Sequence, residues 1–400
     1  MKFYLHRAIK GSNNHYTYSL LERLIQVNGH ELETDPDRAE FHLVSLCDVT
    51  QLSFLEKVRK NYATAKIIVG GHFAVNFVVC SLFADLVNTG HAFEFFKCRS
   101  FDEMARLESV YFKGKKEIIR PSTFIDWSQL PVVQTSDRMF YYLGGAGCKN
   151  KCRFCLTSWT NKHQSNSEMR IRIAESKIPK GARLNIISNE YDRALRKSPV
   201  KDMMLKDFLS VRKKTTHLVR MGLEFATPES RKKYGKAFPD DAIYQAIDLA
   251  GRLKIEIQLF CIGGIDPREA WDAIFDRLPI EPKSMPRIYF KFTNLQYEQF
   301  TPMFKERFNM NPENYLDGQF GKYLFNRCAV YNKRVRIFPI ASPCLAFWRM
   351  GTSLSVNMDQ YEAWKALKKE KDQNTVYDAL FSTKVIETDY QDKIKFWWQK

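Results

Sequence analysis

Three cysteines lie close together in the segment Cys148-Lys-Asn-Lys-Cys152-Arg-Phe-Cys155, with the spacing C-x3-C-x2-C. A structural zinc site normally needs four ligands, usually as two C-x2-C pairs or with histidine partners, and the three-cysteine spacing supplies only three. Ferredoxin-type sites supply four cysteines to each cluster. Three cysteines on a cubane cluster leave one iron without a protein ligand, and such an iron can bind and activate another molecule.

The elements that must position these cysteines alternate between short apolar runs and amphipathic stretches, which is typical of a parallel sheet covered by helices. In residues 1–120 the predicted strands are Lys2–His6, Phe41–Leu46, Lys66–Val69 and Glu94–Lys97. The predicted helices are Tyr18–Val27, Leu52–Asn61, Asn76–Leu86 and Phe101–Leu107. We expect a Rossmann-like, doubly wound α/β domain, in which ligands bind beyond the carboxyl ends of the strands.

A linker without clear periodicity is predicted for residues 121–138, which contain Pro121, Trp127 and Pro131. Predicted strands of the next domain are Met139–Leu143, Leu184–Ser188, His217–Phe225, Ile255–Ile262, Ile288–Phe292 and Val335–Ile340. Amphipathic intervals fall at 166–178, 202–213, 240–253 and 267–278. This pattern predicts a partial (β/α)6 barrel with its core at 139–302. Residues 303–400 would complete the barrel and form a mixed C-terminal extension over the substrate, with a surface helix at Tyr361–Lys371.

The cysteine spacing, with Phe154 directly before the third cysteine, resembles the defining loop of the radical SAM superfamily. In that family the open iron of a [4Fe-4S] cluster is chelated by S-adenosylmethionine, and one electron breaks the sulfonium C–S bond. The resulting 5′-deoxyadenosyl radical abstracts hydrogen from an unactivated C–H bond. The resemblance implies a radical SAM enzyme of methyltransferase or isomerase/mutase type. It also implies cluster ligation by Cys148, Cys152 and Cys155, cofactor contact by Phe154, and an electron donor such as flavodoxin or ferredoxin.

The segment Leu184–Glu190 occupies the place of the family's Gly-Gly-Glu, with Ser188 and Asn189 instead of the two glycines. In the family this segment grips the amino group of S-adenosylmethionine through backbone carbonyls and a carboxylate. The resemblance assigns that role to Ser188, Asn189 and Glu190. Without the resemblance, Glu190 would be an exposed loop acid or a helix cap.

Two later strands carry further cofactor contacts implied by the resemblance. The run Met221–Glu224, continuing to Thr227, resembles the family strand that holds the ribose or carboxylate region, which assigns Glu224 and Thr227. The run Gln258–Ile265 resembles the strand whose glycines let the backbone approach adenine. It assigns three cofactor-binding residues: Ile262, Gly263 and Gly264. The alternative for the two glycines is a plain strand-to-helix turn.

The N-terminal domain resembles the cobalamin-binding module of one radical SAM subclass, in Val44–Lys60, Ala65–Asn76 and the linker run Ile125–Pro131. The family's acidic glycine turn is replaced by Glu-Phe-Phe-Lys-Cys-Arg-Ser at 94–100, which removes a loop that surrounds the corrin. Two alternatives stay open: cobalamin binding, or a degenerate domain kept for packing or substrate binding. His72 is expected to be a turn residue and not a cobalt ligand.

Charge provides the indication of substrate. The chain has 62 Lys+Arg against 45 Asp+Glu, a formal charge of +17, and such a chain attracts polyanions such as nucleic acid. The leading hypothesis is modification of a nucleic-acid base or nucleotide, by carbon methylation if cobalamin is held or by radical rearrangement otherwise. The alternatives are radical modification of a peptide or small metabolite, and a non-catalytic iron–sulfur protein that binds nucleic acid.

Two residues are candidates for quenching a substrate radical: Cys344, after a barrel strand, and Tyr297. Buried inert thiols are the default alternative for Cys344 and Cys328. The first residues lack a signal-peptide pattern, and no run is long and apolar enough for a membrane span. Nine cysteines, an odd number, fit a reducing compartment. We therefore expect a cytoplasmic protein with no membrane partner.

Overall fold

The computed structural model describes residues 1–8, 15–120, 124–160, 162–187, 200–214, 216–278, 285–331, 333–354, 357–382 and 394–396. Five sheets connect the described strands, and most strand pairs are parallel. The chain is therefore a mixed α/β protein, which confirms the fold class predicted from the alternating pattern. No helix among these residues combines the length and apolar content needed to cross a membrane.

The N-terminal region contains a six-stranded sheet in the order β2-β1-β3-β4-β5-β6. The strands are β1 (Lys2–His6), β2 (Glu31–Leu32), β3 (Phe41–Ser45), β4 (Lys66–Gly70), β5 (Leu86–Asn88) and β6 (Val110–Tyr111). The helices are α1 (His15–Val27), α2 (Leu52–Asn61), α3 (Phe77–Cys80), α4 (Ala92–Phe95) and α5 (Phe101–Arg106). All five positions of β3 are buried, as in a central parallel strand covered on both faces. Only β6 pairs antiparallel.

Two element predictions in this region are wrong. The predicted helix Asn76–Leu86 is helical only over α3, and Leu86 instead begins β5. Asp85 fixes the start of this strand, because its carboxylate accepts from the Ile67 backbone N–H at 2.8 Å and pairs with Arg59 at 2.6 Å. The predicted strand Glu94–Lys97 overlaps helix α4 instead. Strand propensity of its aromatic residues is overridden because the helix buries Phe95 in the core.

The central strands are β7 (Ile118–Arg120), β8 (Val133–Ser136), β9 (Met139–Leu143), β10 (Gly145–Ala146), β11 (Gln164–Ser165), β12 (Arg183–Ile187), β13 (Val200–Asp202), β14 (Leu218–Glu224), β15 (Glu256–Gly263), β16 (Ile288–Asn294) and β17 (Val335–Ile337). The central helices are α6 (Leu156–Thr160), α7 (Glu168–Ser176), α8 (Leu205–Leu209), α9 (Pro228–Lys233), α10 (Asp240–Leu253) and α11 (Arg268–Asp276). Strand β8 lies inside the predicted linker and forms an antiparallel pair with β9, so the linker without regular structure is shorter than predicted.

Two sheets provide the central scaffold. One has the order β12-β9-β8, and the other is a parallel sheet in the order β13-β14-β15-β16-β17. Burial alternates strictly along β14 and β15, because one face packs against α8, α10 and α11 in a large hydrophobic cluster. Residues 188–199 connect the two sheets and lie outside the described residues. The predicted six-unit partial barrel therefore stays a prediction.

The C-terminal region is mostly helical, with α12 (Gly318–Arg327), α13 (Pro343–Leu354), α14 (Met358–Ala366), α15 (Gln373–Ser382) and the short strand β18 (Ile394–Phe396). The helix predicted at Tyr361–Lys371 starts earlier and ends in a 3-10 turn, Leu367–Lys369. Trp348 of α13 and Tyr361 of α14 belong to the same hydrophobic cluster as Phe77 of the N-terminal region. Lys365 also pairs with Glu56 of α2 at 2.9 Å. The C-terminal helices therefore cover part of the N-terminal domain.

A buried histidine pair in neighbouring strands β1 and β3 makes the stability of the fold pH-dependent. His6 Nε2 lies 2.8 Å from His42 Nδ1, and both rings are buried. Burial, and then the charge of His42, lower the pKa of His6 to about 4, and burial also lowers the pKa of His42. Since the unfolded side chain titrates near 6.5, the unfolded chain binds more protons than the folded chain between these values.

Full stability is therefore present above pH 6.5 and is lost as the pH falls toward 4. We expect the His6 term alone to lower the free energy of unfolding by about 2 kcal/mol between pH 8 and pH 5. Urea unfolding at the two pH values measures this loss, and His6→Gln should reduce it while the exposed control His217→Gln should not. Equal pH dependence in wild type and His6→Gln would contradict the prediction.

Candidate functional site

The three-cysteine loop begins where β9 ends, and its base is closed by the antiparallel pair β10–β11. Gly144 follows β9 directly, and a Cβ there would lie 2.1 Å from Ile186 Cγ2 of the neighbouring strand β12. The Gly144 N–H donates to Ile187 O at 2.8 Å, and the Asn166 N–H donates back to Gly144 O at 2.8 Å. The loop thus leaves the carboxyl end of a parallel strand pair, where α/β sheets bind ligands.

The three thiols lie in different surroundings within this loop. Cys148 Sγ accepts from the Asn150 N–H at 3.4 Å, and Cys152 is buried with Sγ 3.8 Å from Gly235 O. Burial raises the pKa of Cys152 to about 12, while the charge of Lys236 opposes this rise. Cys155 is half-buried, and its N–H donates to Cys152 O at 3.2 Å.

No three His, Cys, Asp or Glu side chains converge on a single-ion site within the described part of the chain. One zinc ion would bring its thiolates within about 4 Å of one another, whereas the three thiolates of a cubane each bind a different iron. Cys148, Cys152 and Cys155 lie in one loop, and they remain the metal ligands predicted from the sequence.

The loop is fastened to the opposite side of the site. Arg153 pairs with Glu306 at 2.7 Å, and Tyr234 donates its hydroxyl hydrogen to the same carboxylate at 3.2 Å. The backbone of Arg153 also bonds to Tyr234 and Met303. Phe154 packs edge-to-face on Phe225, with ring centroids 5.3 Å apart. The end of α9 and the segment at 302–309 therefore hold the cysteine loop in place.

A buried ion pair lies beside the thiols. Glu224 ends β14 with φ 64° after a bulge in the strand, and its carboxylate lies 3.3 Å from Lys236 Nζ. Their side chains are only 13% and 10% exposed. Burial raises the pKa of Glu224, and Lys236 opposes the rise in part. Burial lowers the pKa of Lys236, but Glu224 and Cys152 outweigh it and raise the pKa overall.

Gly222 provides the space for this pair. A Cβ at position 222 would lie 1.9 Å from Glu224 Oε1 and 3.0 Å from Lys236 Nζ. The sequence Met-Gly-Leu-Glu thus places a carboxylate over its own strand, next to the cysteine loop. Glu224 and Lys236 therefore lie together beside Cys152, and the cofactor contact of Glu224 stays a prediction.

Asp266 and Arg231 brace the segment between Glu224 and Lys236, and the sequence analysis missed both. Asp266 is buried and accepts from the Ala226 N–H at 2.6 Å, the Thr227 hydroxyl at 2.9 Å and the Ser230 hydroxyl at 2.6 Å. Arg231 is fully buried, donates to two backbone carbonyls at 2.9 Å and pairs with Asp240. The Thr227 hydroxyl also caps α9, so its present partners are protein groups.

The other predicted cofactor contacts lie partly outside the described residues and partly at the end of β15. Ser188, Asn189 and Glu190 lie outside the described residues. Ile262 and Gly263 end β15, and a Cβ at Gly264, which has φ 101°, would lie 3.0 Å from the Tyr315 ring. The small size of Gly264 therefore allows the close approach of a protein ring. Gly264 also lines a cavity of about 350 Å³ together with Tyr234 and Tyr297.

The two predicted radical-quenching residues lie in different places. Tyr297 follows β16, is buried, and lines two cavities, and burial raises its pKa. Cys344 lies in the first turn of α13, buried in a hydrophobic cluster, with Sγ 3.3 Å from Lys371 O. The structure thus brings Tyr297 to the cavity beside Gly264, while Cys344 is packed among helices.

A larger cavity of about 400 Å³ lies between the N-terminal sheet and the cysteine loop. One wall is the carboxyl edge of that sheet, including Gly70, Gly71 and Gly90, and the opposite wall includes Gly145–Gly147. Phe93, Phe95 and Phe96 complete an apolar side. These aromatics come from α4 and the turn after it, where the cobalamin subclass has its acidic glycine turn. His72 lines the cavity and starts a 3-10 turn, as the sequence predicted.

Not every basic cluster of the sequence is an exposed binding surface. Lys115 Nζ donates to the backbone carbonyls of Leu107 and Val110, both at 2.6 Å, and Arg231 is buried. Exposed cations remain at 113, 116, 212–214, 232–233, 368–369 and 371, and those at 232–233 lie beside the cysteine loop. The positive charge available to a polyanion is therefore smaller than the sequence count suggests.

No protein-family model matches the sequence, and no curated protein matches it. Its fold is similar to that of TsrM, a radical S-adenosylmethionine methyltransferase from Kitasatospora setae, solved with tryptophan substrate and a SAM analogue, with a TM-score of 0.53 and 12% identity over 76% of this chain and 75% of that chain. The TsrM structure with cobalamin and a [4Fe-4S] cluster gives the same TM-score and identity, over 76% of this chain and 73% of that chain.

The cobalamin-dependent S-adenosylmethionine radical enzyme OxsB, solved with aqua-cobalamin, has a TM-score of 0.50 and 12% identity. The match covers 69% of this chain and 51% of OxsB, so the chain spans about half of that enzyme. At this level of identity the similarity concerns the fold. The resemblance stated from the sequence is thereby confirmed as a similarity in fold to cobalamin-dependent radical SAM enzymes.

Proposed function

We propose that this chain is a radical SAM enzyme. The observation that carries the proposal is the loop Cys148–Cys155, which leaves the carboxyl end of β9 and lies against the buried pair Glu224–Lys236. Three thiols in one loop suit a cluster with one open iron, and a buried pair of opposite charges suits a zwitterionic ligand. The shared fold with TsrM and OxsB supports this function.

In this proposal Cys148, Cys152 and Cys155 hold a [4Fe-4S] cluster, which supplies the electron that cleaves S-adenosylmethionine to a 5′-deoxyadenosyl radical. Lys236 and Glu224 bind charged groups of S-adenosylmethionine by direct ion pairing. The remaining proposed cofactor contacts are those from the sequence: Phe154, Ser188, Asn189, Glu190, Thr227, Ile262, Gly263 and Gly264. Tyr297 is proposed to reduce a substrate radical, with Cys344 as the second candidate.

Anaerobic reconstitution tests this function. A preparation with four irons per chain, mixed with S-adenosylmethionine and dithionite, is expected to form 5′-deoxyadenosine, measured by liquid chromatography. Such a preparation that forms none would overturn the enzyme proposal and favour a non-catalytic iron–sulfur protein.

For the third cofactor we propose cobalamin, in the 400 Å³ cavity at the edge of the N-terminal sheet. An apolar side and walls containing glycine at positions 70, 71 and 90 suit one face of a planar macrocycle. With cobalamin bound, the proposed reaction is carbon methylation; without it, a radical rearrangement. Co-elution of hydroxocobalamin with the protein in gel filtration, at one per chain and with a changed absorbance spectrum, is expected. Complete separation of the two would contradict cobalamin binding.

The proposed substrate is a nucleic-acid base or nucleotide, which the net charge of +17 and the exposed cations at 212–214 and 232–233 support. Each neutralised phosphate releases counterions, so binding should weaken steeply with salt. We expect RNA or DNA affinity to fall at least about tenfold between 50 and 200 mM salt. Salt-independent affinity would contradict this substrate class.

The second candidate substrate is a small metabolite or a peptide. The carboxylate of Glu298 lines a cavity beside Tyr297 together with the ion pair Asp48–Arg349, and it would repel a phosphate there. TsrM, described with tryptophan as its substrate, shares this fold. We also propose an electron donor such as flavodoxin or ferredoxin as a partner. The proposed compartment is the cytoplasm.

A further inference from the structure

A third cavity of about 190 Å³ lies between the N-terminal sheet and the central sheet. We call it the Glu298 cavity, and define it by Asp48, His72, Tyr297, Glu298 and Arg349. His72 also lines the 400 Å³ cavity, and Tyr297 also lines the 350 Å³ cavity beside Gly264. The Glu298 cavity therefore shares one lining residue with the space proposed for cobalamin and one with the cavity beside Gly264.

The charges in this cavity are only partly paired. Arg349 Nη2 pairs with Asp48 at 2.9 Å, and the other Asp48 oxygen accepts from the Thr50 N–H at 2.9 Å. Among the described residues the half-buried Glu298 carboxylate forms no ion pair or hydrogen bond, although the charge of Arg349 acts on it. Arg349 Nε is buried and likewise has no hydrogen-bond partner within that part of the chain. Asp48 is thus paired with Arg349, and Glu298, on which the charge of Arg349 acts without an ion pair, remains able to bind a further group.

The backbone holds Glu298 in this position. The Thr301 hydroxyl donates to Glu298 O at 2.7 Å, and Phe300, with φ 64°, is buried against Phe77 of the N-terminal region. Burial raises the pKa of Glu298 to about 7, with Arg349 opposing the rise and Asp48 adding to it. A carboxylate that is desolvated without a partner costs free energy, and such costs persist at binding sites. A turn with a positive φ at Phe300 thus follows the acid whose side chain lines the cavity.

We propose that the Glu298 cavity binds a cationic nitrogen of the substrate, such as a primary ammonium group, through the unpaired carboxylate of Glu298. The cavity is smaller than the roughly 300–1,000 Å³ of pockets that enclose a whole ligand, so it takes a head group only. The inference rests on the proposed radical SAM function and selects, from its two substrate classes, an amine-bearing metabolite or peptide.

Thermal unfolding of the full chain without ligand at pH 8 is the first test. Glu298→Gln keeps the shape and removes the desolvated charge, so its Tm is expected to lie above that of wild type. The exposed control Glu269→Gln is expected to leave Tm nearly unchanged. A lower Tm for Glu298→Gln would show that the carboxylate has a structural partner and would overturn the proposal.

Ligand-observed NMR titration of the same proteins at pH 8 is the second test. We expect n-butylammonium to bind wild type at least tenfold more tightly than Glu298→Gln, and n-butanol to bind both equally. Equal affinity of the ammonium for both proteins would overturn the proposal. The proposal would also be overturned if n-butylammonium did not bind and adenosine monophosphate bound wild type more tightly than Glu298→Gln.

Both tests use protein without cluster or S-adenosylmethionine, and they are therefore independent of the proposed reaction. Failure to form 5′-deoxyadenosine would remove the radical SAM function and leave the ammonium preference standing. If wild type did not bind n-butylammonium more tightly than Glu298→Gln, the nucleic-acid class would again be the leading substrate class. The proposed radical SAM function would be unaffected.

Discussion

Cys152→Ser should reduce the iron bound after anaerobic reconstitution to less than about one tenth of the wild-type content and abolish 5′-deoxyadenosine formation. A serine hydroxyl is a far poorer ligand for iron than a thiolate, and Cys152 is the most buried of the three thiols in the loop. Iron and sulfide analysis, with the low-temperature EPR signal of the reduced protein, measures the loss.

Cys98→Ser is the matched control, because this buried thiol lies in the N-terminal domain, 3.8 Å from Glu94 O. It should retain the wild-type iron content. Near-wild-type iron and sulfide in Cys152→Ser would show that the cluster is held elsewhere, and the three-cysteine assignment would then be wrong.

Lys236→Met should lower the free energy of unfolding by about 3 kcal/mol at pH 7.5, because it leaves Glu224 buried without its counter-charge. The two groups lie 3.3 Å apart and are almost fully buried. Protonation of Glu224, whose pKa burial already raises, moderates the cost. Urea unfolding measures the stability, and isothermal titration measures the accompanying loss of S-adenosylmethionine affinity.

The double variant Glu224→Gln/Lys236→Met separates the two effects of that pair. With both charges removed, most of the lost stability should return, because no unpaired buried charge remains. The affinity for S-adenosylmethionine should stay low. Recovery of the affinity along with the stability would contradict a direct role of the pair in cofactor binding, and equal instability of the single and double variants would contradict the ion-pair account.

Sequence alone was sufficient for features that are encoded locally. The strand at Met139–Leu143, the helix at Leu52–Asn61 and the cysteine loop between β9 and α6 could be read from apolar periodicity and residue spacing. The strand β5 could not, because its start depends on Asp85 bonding to Ile67 and Arg59, residues 18 and 26 positions away. The aromatic residues at 93–96 led to a wrong strand prediction for a related reason. Burial of these side chains in the core, and not their strand propensity, decides that the segment is helical.

The candidate site shows the same division. Glu224 could be found from its motif, and Thr227-Pro-Glu-Ser230 carries a helix-capping pattern that hints at a fixed turn. Asp266 gives no such signal, since its four bonds reach residues 36–40 positions earlier. Glu298 could not be identified from the sequence either. Its environment depends on Asp48 and Arg349, which pair with each other although they are 301 positions apart.

The helices α13 and α14 share a hydrophobic cluster with the N-terminal sheet. This shared cluster affects how the chain unfolds. A protein cut after residue 302 would expose the apolar surfaces that Trp348 and Tyr361 cover and leave Glu56 without Lys365. We therefore do not expect the domain boundaries predicted from the sequence to mark independent folding units. We expect the N-terminal sheet and the C-terminal helices to melt in one cooperative transition, so that separately expressed halves would be aggregation-prone and would have to be produced together.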